Sequence, residues 1–372
     1  MTIGSEAALL LRVARPALLD TEVDEVRGLI AAQDDELDWG LFIDLAFRHH
    51  VLPLASRNML HYQLHPGLAR QGGFLYEEMF TNAYQVNQVR NEALARELVT
   101  ILRELARRSV RPVLRKGAVL GQELYGDVGV RRSFDIDLMV EPDELPVVEE
   151  VLGALGYAEG NLSANRRVVV PRDRRQALFW AMRVPNRQLH RPTSERFVNT
   201  FVVDICLNHF LPGTRYDLPA ADLANRSRTV YLFGVPARAF TPEETVIDLT
   251  THLFKEATSL HYLKLAKDLT LSKFLDIATL AGTQPIDWSV VRERVDSYGV
   301  REPVYFALHY TDVVYPGAVP GDVLDAFRVS DLAFLREIGH VDKDVRQWQG
   351  DFMSRLFDSR RAADLPFPRV SL

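Results

Sequence analysis

Two aspartates, Asp135 and Asp137, constrain the fold most, because they stand at the start of the apolar run Ile136–Val140. A β-prone run of this kind predicts a strand, in which residues two apart point to the same face of the sheet. The two carboxylates would then converge on one point, where they repel each other and one of them holds a proton. A divalent cation removes that repulsion, and Mg²⁺ prefers such hard oxygen ligands. The pair therefore predicts a magnesium site on a sheet, with Mn²⁺ as the alternative ion.

Residues that suit phosphate binding surround this pair. Lys116 and Gly117 fall where a short predicted strand ends and a helix begins. A glycine there lets backbone N–H groups approach a phosphate, and the helix N-terminus favours the negative charge. Arg131 and Arg132 come just before the aspartates, and guanidinium groups bind phosphate oxygens well. Together with Ser133, these four residues are the predicted nucleotide-binding positions.

The predicted elements are helical, then α/β, then helical along the chain. Residues 1–106 carry helical patterns only, of which Glu77–Arg108 is the longest. Residues 107–240 carry short β-rich runs with short helices between them. Residues 241–372 open on Thr241-Pro242-Glu243-Glu244, a helix-start signal, and continue as helical patterns. We therefore predict an α+β fold: an α/β core with a small mixed sheet, flanked by N-terminal and C-terminal helical regions.

Individual elements can be predicted within these regions. The predicted strands are Pro112–Leu114, Ile136–Val140, Arg167–Val170, Phe201–Cys206 and Thr229–Leu232. In the last region Leu260–Ala281 reads as one helical pattern. Asp268 and Asp276 then fall on roughly one face, where nearby lysines at helical spacing are their expected partners.

Composition excludes several classes of protein. The 372 residues carry 50 acidic side chains against 44 Lys and Arg, a formal charge of −6, which argues against a wholesale polyanion binder. The single cysteine, Cys206, excludes an internal disulfide and a cysteine zinc site, and favours a reducing, cytoplasmic compartment. The N-terminal residues do not form a signal-peptide pattern. No window approaches the roughly 18 apolar residues of a membrane span, so no membrane partner is expected.

The block Lys116–Tyr157 resembles the uncharacterised nucleotidyltransferases of the DNA polymerase β-type nucleotidyltransferase superfamily. Their pattern is Lys-Gly, a helix ending near Tyr, an Arg, Asp-x-Asp in a strand, then a helix and Gly-Tyr. The chain supplies, in that order, Lys116-Gly117, Tyr125, Arg131 or Arg132, Asp135-Ile136-Asp137 and Gly156-Tyr157. Weaker likeness extends over about residues 107–285.

This resemblance implies a polymerase β-like core and a third carboxylate on a later strand. Asp204, inside Phe201–Cys206, is the best match. In such a site Asp135 and Asp137 would hold two metal ions, while Asp204 would bind one of them and help to deprotonate the acceptor. The chain departs from the wider superfamily at Gly117-Ala118, where a Gly-Ser pair is usual and the Ser hydroxyl helps to hold the nucleotide phosphates.

The implied reaction is metal-dependent transfer of an NMP group from an NTP, with ATP expected first, to a hydroxyl-bearing acceptor. The acceptor could be a small metabolite, a peptide or protein side chain, or the 3′ end of a tRNA. The arginine-rich stretch 166–196, which includes Trp180, could be a solvated face or a surface for RNA or the triphosphate. The alternative reading is a catalytically silent nucleotide-binding or scaffold protein that retains the fold. A phosphohydrolase is disfavoured because the block contains no histidine. The oligomeric state is left open.

Overall fold

The computed structural model describes residues 3–33, 36–64, 76–175, 186–210, 214–340 and 345–361. The chain divides into two compact units. The helical unit comprises residues 1–78, 247–284 and 288–372, and the core unit comprises residues 79–246 and 285–287. The predicted boundaries at residues 106 and 240 stay predictions. Within the described ranges, no helix combines the length and the apolar character that crossing a membrane requires.

Helices make up most of the described chain. They are α1 (Ser5–Val13), α2 (Asp20–Gln33), α3 (Trp39–Arg48), α4 (Leu52–His61), α5 (Glu77–Arg107), α6 (Gly117–Leu120), α7 (Leu145–Ala154), α8 (Ala220–Ala224), α9 (Pro242–Ala257), α10 (Leu260–Lys264), α11 (Leu271–Thr283), α12 (Trp288–Tyr298), α13 (Arg301–Val314), α14 (Gly321–Phe327) and α15 (Phe352–Phe357). A π-helical turn, Gly121–Tyr125, continues α6, and a 3₁₀ turn, Pro142–Glu144, precedes α7.

The strands form one large sheet in the core unit and two short ribbons. They are β1 (Val113–Arg115), β2 (Ile136–Met139), β3 (Ala158–Glu159), β4 (Asn161–Leu162), β5 (Val169–Val170), β6 (Arg187–Pro192), β7 (Thr200–Cys206), β8 (Ser227–Leu232), β9 (Val235–Phe240), β10 (Glu337–Ile338) and β11 (Arg346–Gln347). The ribbons are β4–β5 in the core unit and β10–β11 in the helical unit.

The large sheet is mixed, with seven strands in the order β3-β6-β7-β2-β1-β9-β8. β2 runs parallel to β7, and β1 runs parallel to β9, while the other neighbours are antiparallel. The chain is therefore a mixed α/β protein with a mixed central sheet, and the predicted fold class is confirmed. The central position of β2 is what matters for function, because this strand begins directly after Asp135.

Helix α5 supplies much of the apolar cover of this sheet. Leu94, Leu98, Ile101 and Leu105 recur at helical spacing and are buried in one cluster with residues of β2 and β7. Burying each such side chain stabilises the fold by about 2 kcal/mol. The helix contains no Gly or Pro between its ends, so nothing in the sequence interrupts it.

Three strands of the sheet were not predicted. β3 (Ala158–Glu159) has only two residues, too few to leave a β pattern in the sequence. β6 (Arg187–Pro192) is made largely of polar residues, and β9 (Val235–Phe240) contains Pro236 and two alanines, so neither has a strong β pattern. β6 is held by antiparallel pairing with β7, from which only residues 193–199 separate it, and β9 is held by β1, which is distant in sequence. The predicted strand Arg167–Val170 is reduced to Val169–Val170.

The prediction of one helix over Leu260–Ala281 is wrong. Ala266 has φ = 53°, which ends α10 and separates it from α11. The expected pairing of Asp268 with lysines is also wrong, because it relied on helical spacing. Asp268 is fully buried in the helical unit, with Arg355 Nη2 at 3.0 Å and Arg361 Nη2 at 2.7 Å from its carboxylate oxygens. Burial alone would raise the pKa of Asp268, but the two arginines outweigh it and hold that pKa below its ordinary value.

His49 is a second buried ionisable group of the helical unit. Its Nδ1 accepts a hydrogen bond from the Leu271 backbone N–H at 3.3 Å, and its ring meets the edge of Phe357 at 5.0 Å between centroids. Burial, with the nearby charge of Arg361, lowers the pKa of His49 to about 3. The folded protein therefore holds this histidine neutral, while the unfolded chain protonates it below about pH 6.5.

We expect this difference to make the protein less stable in mild acid. A lowered folded pKa means that the unfolded state binds more protons, so stability is lost as the pH falls from about 6.5 towards 3, by about 1.4 kcal/mol per pH unit. Denaturant unfolding of wild type and His49→Gln across this range measures the effect, and the variant should show a shallower slope. His61→Gln, at an exposed position of α4, is the control and should keep the wild-type slope. Equal slopes in wild type and His49→Gln would contradict the account.

Candidate active site

The sheet register brings the predicted carboxylates together. Asp137 of β2 pairs with Asp204 of β7 across the parallel ladder, and Asp135 lies two residues before Asp137. Carboxylate oxygens of the three residues lie within 4.8 Å of one another. We call these three side chains the acidic triad. The sheet supplies this convergence by backbone pairing alone, since register partners stand side by side on one face.

The environment of the acidic triad opposes its negative charge. Asp137 is buried, with 8% of its surface exposed, and Asp135 and Asp204 are half-buried. Burial, then the charges of Asp137 and Asp204, raise the pKa of Asp135 well above its ordinary range. Burial and Asp137 likewise raise the pKa of Asp204. Three carboxylates held this close are stable as anions only with compensating positive charge.

Lys116 provides part of that compensation. Its Nζ lies 3.2 Å from Asp137 Oδ1, and both side chains are largely buried. The backbone of Lys116 has φ = 41° and ψ = −125°, and Gly117 follows with φ = 20°. A non-glycine residue in such a conformation stores on the order of 1–3 kcal/mol of strain, which is found most often at functional sites. The strained turn from β1 into α6 therefore lies at the point where the sequence predicts phosphate binding.

The predicted arginines separate in the structure. Arg131 Nη1 lies 3.5 Å from both the Gly117 carbonyl oxygen and Ser133 Oγ, so Arg131 and Ser133 stand with Gly117 beside the triad. Arg132 instead places its guanidinium over the ring of Phe134, 4.6 Å from the centroid. Burial and the neighbouring charge of Arg90 lower the pKa of Arg132 to about 10.

Gln188 is a site residue that sequence reasoning missed. It pairs with Asp204 across the β6–β7 ladder, and its Nε2 donates a 2.8 Å hydrogen bond to Asp204 Oδ1. This bond fixes the orientation of the third carboxylate. The polar sequence of β6 gave no strand signal, so the register that creates the contact could not be foreseen.

Helix α5 was also missed as a part of the site. Two buried asparagines on its apolar face hold the loop that precedes the triad. Asn87 Nδ2 donates to the Gly129 carbonyl oxygen at 2.7 Å, and Asn91 Nδ2 donates to those of Val128 and Arg131 at 2.6 and 2.7 Å. Each amide thereby replaces backbone partners that the loop lacks. The 3.6-residue spacing of these polar residues was visible in the sequence, but their target was not.

Several arginines of the 166–196 stretch have carboxylate partners in the core unit. Arg172 and Arg187 approach Glu159, at 3.9 and 3.6 Å, and Arg191 binds the buried Glu97. Residues 176–185, including Trp180, lie outside the described residues. These pairings favour a structural reading of the three arginines over a polyanion surface.

The acidic triad fits a divalent cation. All its ligand atoms are carboxylate oxygens, the donors that Mg²⁺ and Mn²⁺ prefer. A doubly charged ion relieves the mutual repulsion of these oxygens, and the Lys116 ammonium next to Asp137 already relieves part of it. The arrangement can therefore hold a cation next to the turn for which the sequence predicts phosphate binding.

A family model described as an uncharacterised nucleotidyltransferase matches residues 35–316. The match covers more than half of the chain, and it includes the acidic triad and all of the predicted nucleotide-binding positions. Neither the curated proteins nor the solved structures contain a match to this chain.

Proposed function

The chain belongs to this nucleotidyltransferase family, and we propose that it transfers an NMP group from an NTP to a hydroxyl group of an acceptor with the help of a divalent cation. Family membership supports nucleotidyl transfer in general. The observation that carries the finer proposal is the convergence of three carboxylates within 4.8 Å. A catalytically silent scaffold has no need of all three, which is why we favour an enzyme.

The proposed reaction exchanges one phosphate ester bond for another. The acceptor oxygen forms a bond to the α-phosphorus, and the bond from that phosphorus to the β-bridging oxygen breaks, so that pyrophosphate leaves with the electron pair. The proton of the acceptor hydroxyl passes to the Asp204 carboxylate and then to water. Gln188 holds that carboxylate in place through its 2.8 Å hydrogen bond, which suits a general base.

Asp135, Asp137 and Asp204 would hold the cation, Mg²⁺ in the first instance. Asp135 and Asp137 would also hold a second such ion, and the two ions together would supply positive charge at the attacking and leaving oxygens. The Lys116 ammonium group would leave Asp137 and bind a phosphate oxygen. Arg131 and the Gly117 N–H would bind further phosphate oxygens. Positioning and electrostatics, rather than covalent chemistry by the protein, would carry the rate. ATP is the donor we would test first.

A labelling experiment tests the proposed reaction and identifies the acceptor class. The protein is incubated with Mg²⁺ and NTPs labelled at the α- or the γ-phosphate, with hydroxylated metabolites, peptides or tRNA as acceptors. We expect transfer of the α-label with release of pyrophosphate. Asp204→Asn should slow transfer by about a hundredfold or more, the usual contribution of a general base.

The matched control is Asp143→Asn, at an exposed position of the same unit, which should keep the wild-type rate. Transfer of the γ-label would contradict the proposal, because it indicates phosphoryl transfer. So would an Asp204→Asn variant as fast as wild type. Release of phosphate in the absence of any acceptor would favour the phosphohydrolase reading instead.

A further inference from the structure

A cavity of about 260 Å³ lies beside the acidic triad, within the core unit. Asp135 and Asp137 contribute to its wall, as do Gly117 and Arg131. The volume is slightly below the roughly 300 Å³ at which pockets for drug-sized ligands begin. The cavity therefore suits one ring system of a substrate rather than a whole nucleoside triphosphate.

The wall away from the carboxylates is mainly apolar. Leu94 and Leu98 of α5 line it, one helical turn apart. Asn91, one turn earlier, also lines the cavity, and its Nδ2 is fixed by the two loop carbonyls described above. Its Oδ1 is buried and accepts no hydrogen bond from the described residues. Asn91 therefore contributes to the shape of the wall, and the apolar surface of Leu94 and Leu98 is what a ligand would contact.

Phe233 completes the wall from the other side. With Gly234 it forms the two-residue turn between β8 and β9, and it has φ = 49°. Turns of this shape prefer Asn-Gly, and a bulky side chain in the left-handed region is unusual. Phe233 nevertheless lines the cavity, and 39% of its surface is exposed. Gln122 holds this turn in place, because it accepts from the Phe233 backbone N–H at 3.3 Å and donates to the Tyr231 carbonyl oxygen at 2.9 Å.

We propose that this cavity is a nucleobase subsite, in which the base stacks on Phe233 and packs against Leu94 and Leu98. A nucleobase has the required properties: flat faces that pack on an apolar wall and on an aromatic ring, and a covalent link through the ribose to a phosphate at the triad. The proposal rests on the proposed function. The base belongs either to the donor NTP or to the terminal nucleotide of an RNA acceptor, and the experiment distinguishes the two.

Two substitutions test the subsite without disturbing the triad. Gly121 lines the cavity in a helical conformation, and a Cβ there meets no atom within 4 Å, so Gly121→Leu adds bulk without a backbone clash. Phe233→Asn removes the ring and places at φ = 49° a residue that tolerates this conformation. The control is Gly153→Leu, on an exposed face of α7 where a Cβ also meets nothing within 4 Å.

The probes are ATP, GTP, CTP, UTP and inorganic tripolyphosphate, each titrated calorimetrically with Mg²⁺, and a short single-stranded RNA with a free 3′ hydroxyl. We expect Gly121→Leu and Phe233→Asn to weaken binding of the preferred NTP by about tenfold or more, the scale of base–aromatic stacking. Tripolyphosphate binding should be unchanged, because it has no base. Weakened binding of the RNA alone would support the subsite and assign the base to the acceptor.

Two results would overturn the inference in different ways. If the wild type binds tripolyphosphate with Mg²⁺, but NTP and RNA affinities are the same in wild type and in both variants, the nucleobase subsite is wrong and the proposed function stands. If the wild type binds neither tripolyphosphate nor any NTP with Mg²⁺, and RNA binding is indifferent to both substitutions, the proposed function and the subsite fail together.

Discussion

Replacing Asp135 and Asp137 together by asparagine is expected to stabilise the metal-free protein and to abolish its stabilisation by Mg²⁺. The two carboxylates are held close to Asp204 in a partly buried site, and burial together with their mutual charge raises the pKa of Asp135. An uncompensated buried ion carries a desolvation penalty of several kcal/mol, so removing two of the three charges should add about 2 kcal/mol or more to the free energy of unfolding. Lys116 offsets only part of this penalty in the wild type.

Calorimetric unfolding with and without Mg²⁺ measures both parts of this prediction. In the wild type, the ion at about 100 times its dissociation constant should add about 2.7 kcal/mol. The double variant should show no such gain. Asp143→Asn, the exposed control, should respond to Mg²⁺ as the wild type does. A double variant that is less stable than the metal-free wild type would show that the carboxylates serve the fold, contrary to our account.

The substitution Asp268→Asn, in contrast, is expected to lower the free energy of unfolding, and its effect falls on the helical unit. Asp268 is fully buried and balances two guanidinium groups, those of Arg355 and Arg361. Neutralising it leaves two buried cations without a counter-ion, a change that costs about 3–5 kcal/mol. For a unit of this size the loss corresponds to a fall in Tm of roughly 6–20 °C.

Thermal unfolding followed by circular dichroism gives this value directly. Asp325→Asn, an exposed aspartate on α14, is the control and should change Tm little. Replacing all three residues, by Asp268→Leu, Arg355→Met and Arg361→Met, should recover much of the loss, because an apolar replacement of a whole buried ion cluster is often neutral. An unchanged Tm in the single variant would mean that water or other groups already neutralise the arginines.

The acidic triad was predictable because its pattern is short in sequence. Asp135 and Asp137 needed only the two-residue period of a strand, and Asp204 stood out as a carboxylate within an apolar run. The resemblance to the nucleotidyltransferases then linked the two strands. In the structure, the parallel pairing of β2 with β7 sets Asp137 beside Asp204.

The contacts that were missed join residues distant in sequence. The Asn91 amide reaches Arg131 over 40 positions, and Arg361 reaches Asp268 over 93. A helical pattern shows which residues share a face, but it does not show what that face meets. Gln188 was missed for a related reason. Its strand, β6, has a polar sequence without a β pattern, and it forms because it pairs with β7. Local pattern therefore located the carboxylates, and only the tertiary structure located the groups that position them.

The central claim is that the acidic triad binds a nucleoside triphosphate through a divalent cation. Calorimetric titration of ATP, GTP, CTP and UTP with and without Mg²⁺, on wild type and on Asp135→Asn/Asp137→Asn, tests it most directly. We predict that the wild type binds at least one NTP only when Mg²⁺ is present, and that the double variant does not bind it. NTP binding that persists in the double variant, or that is indifferent to Mg²⁺, would contradict the claim.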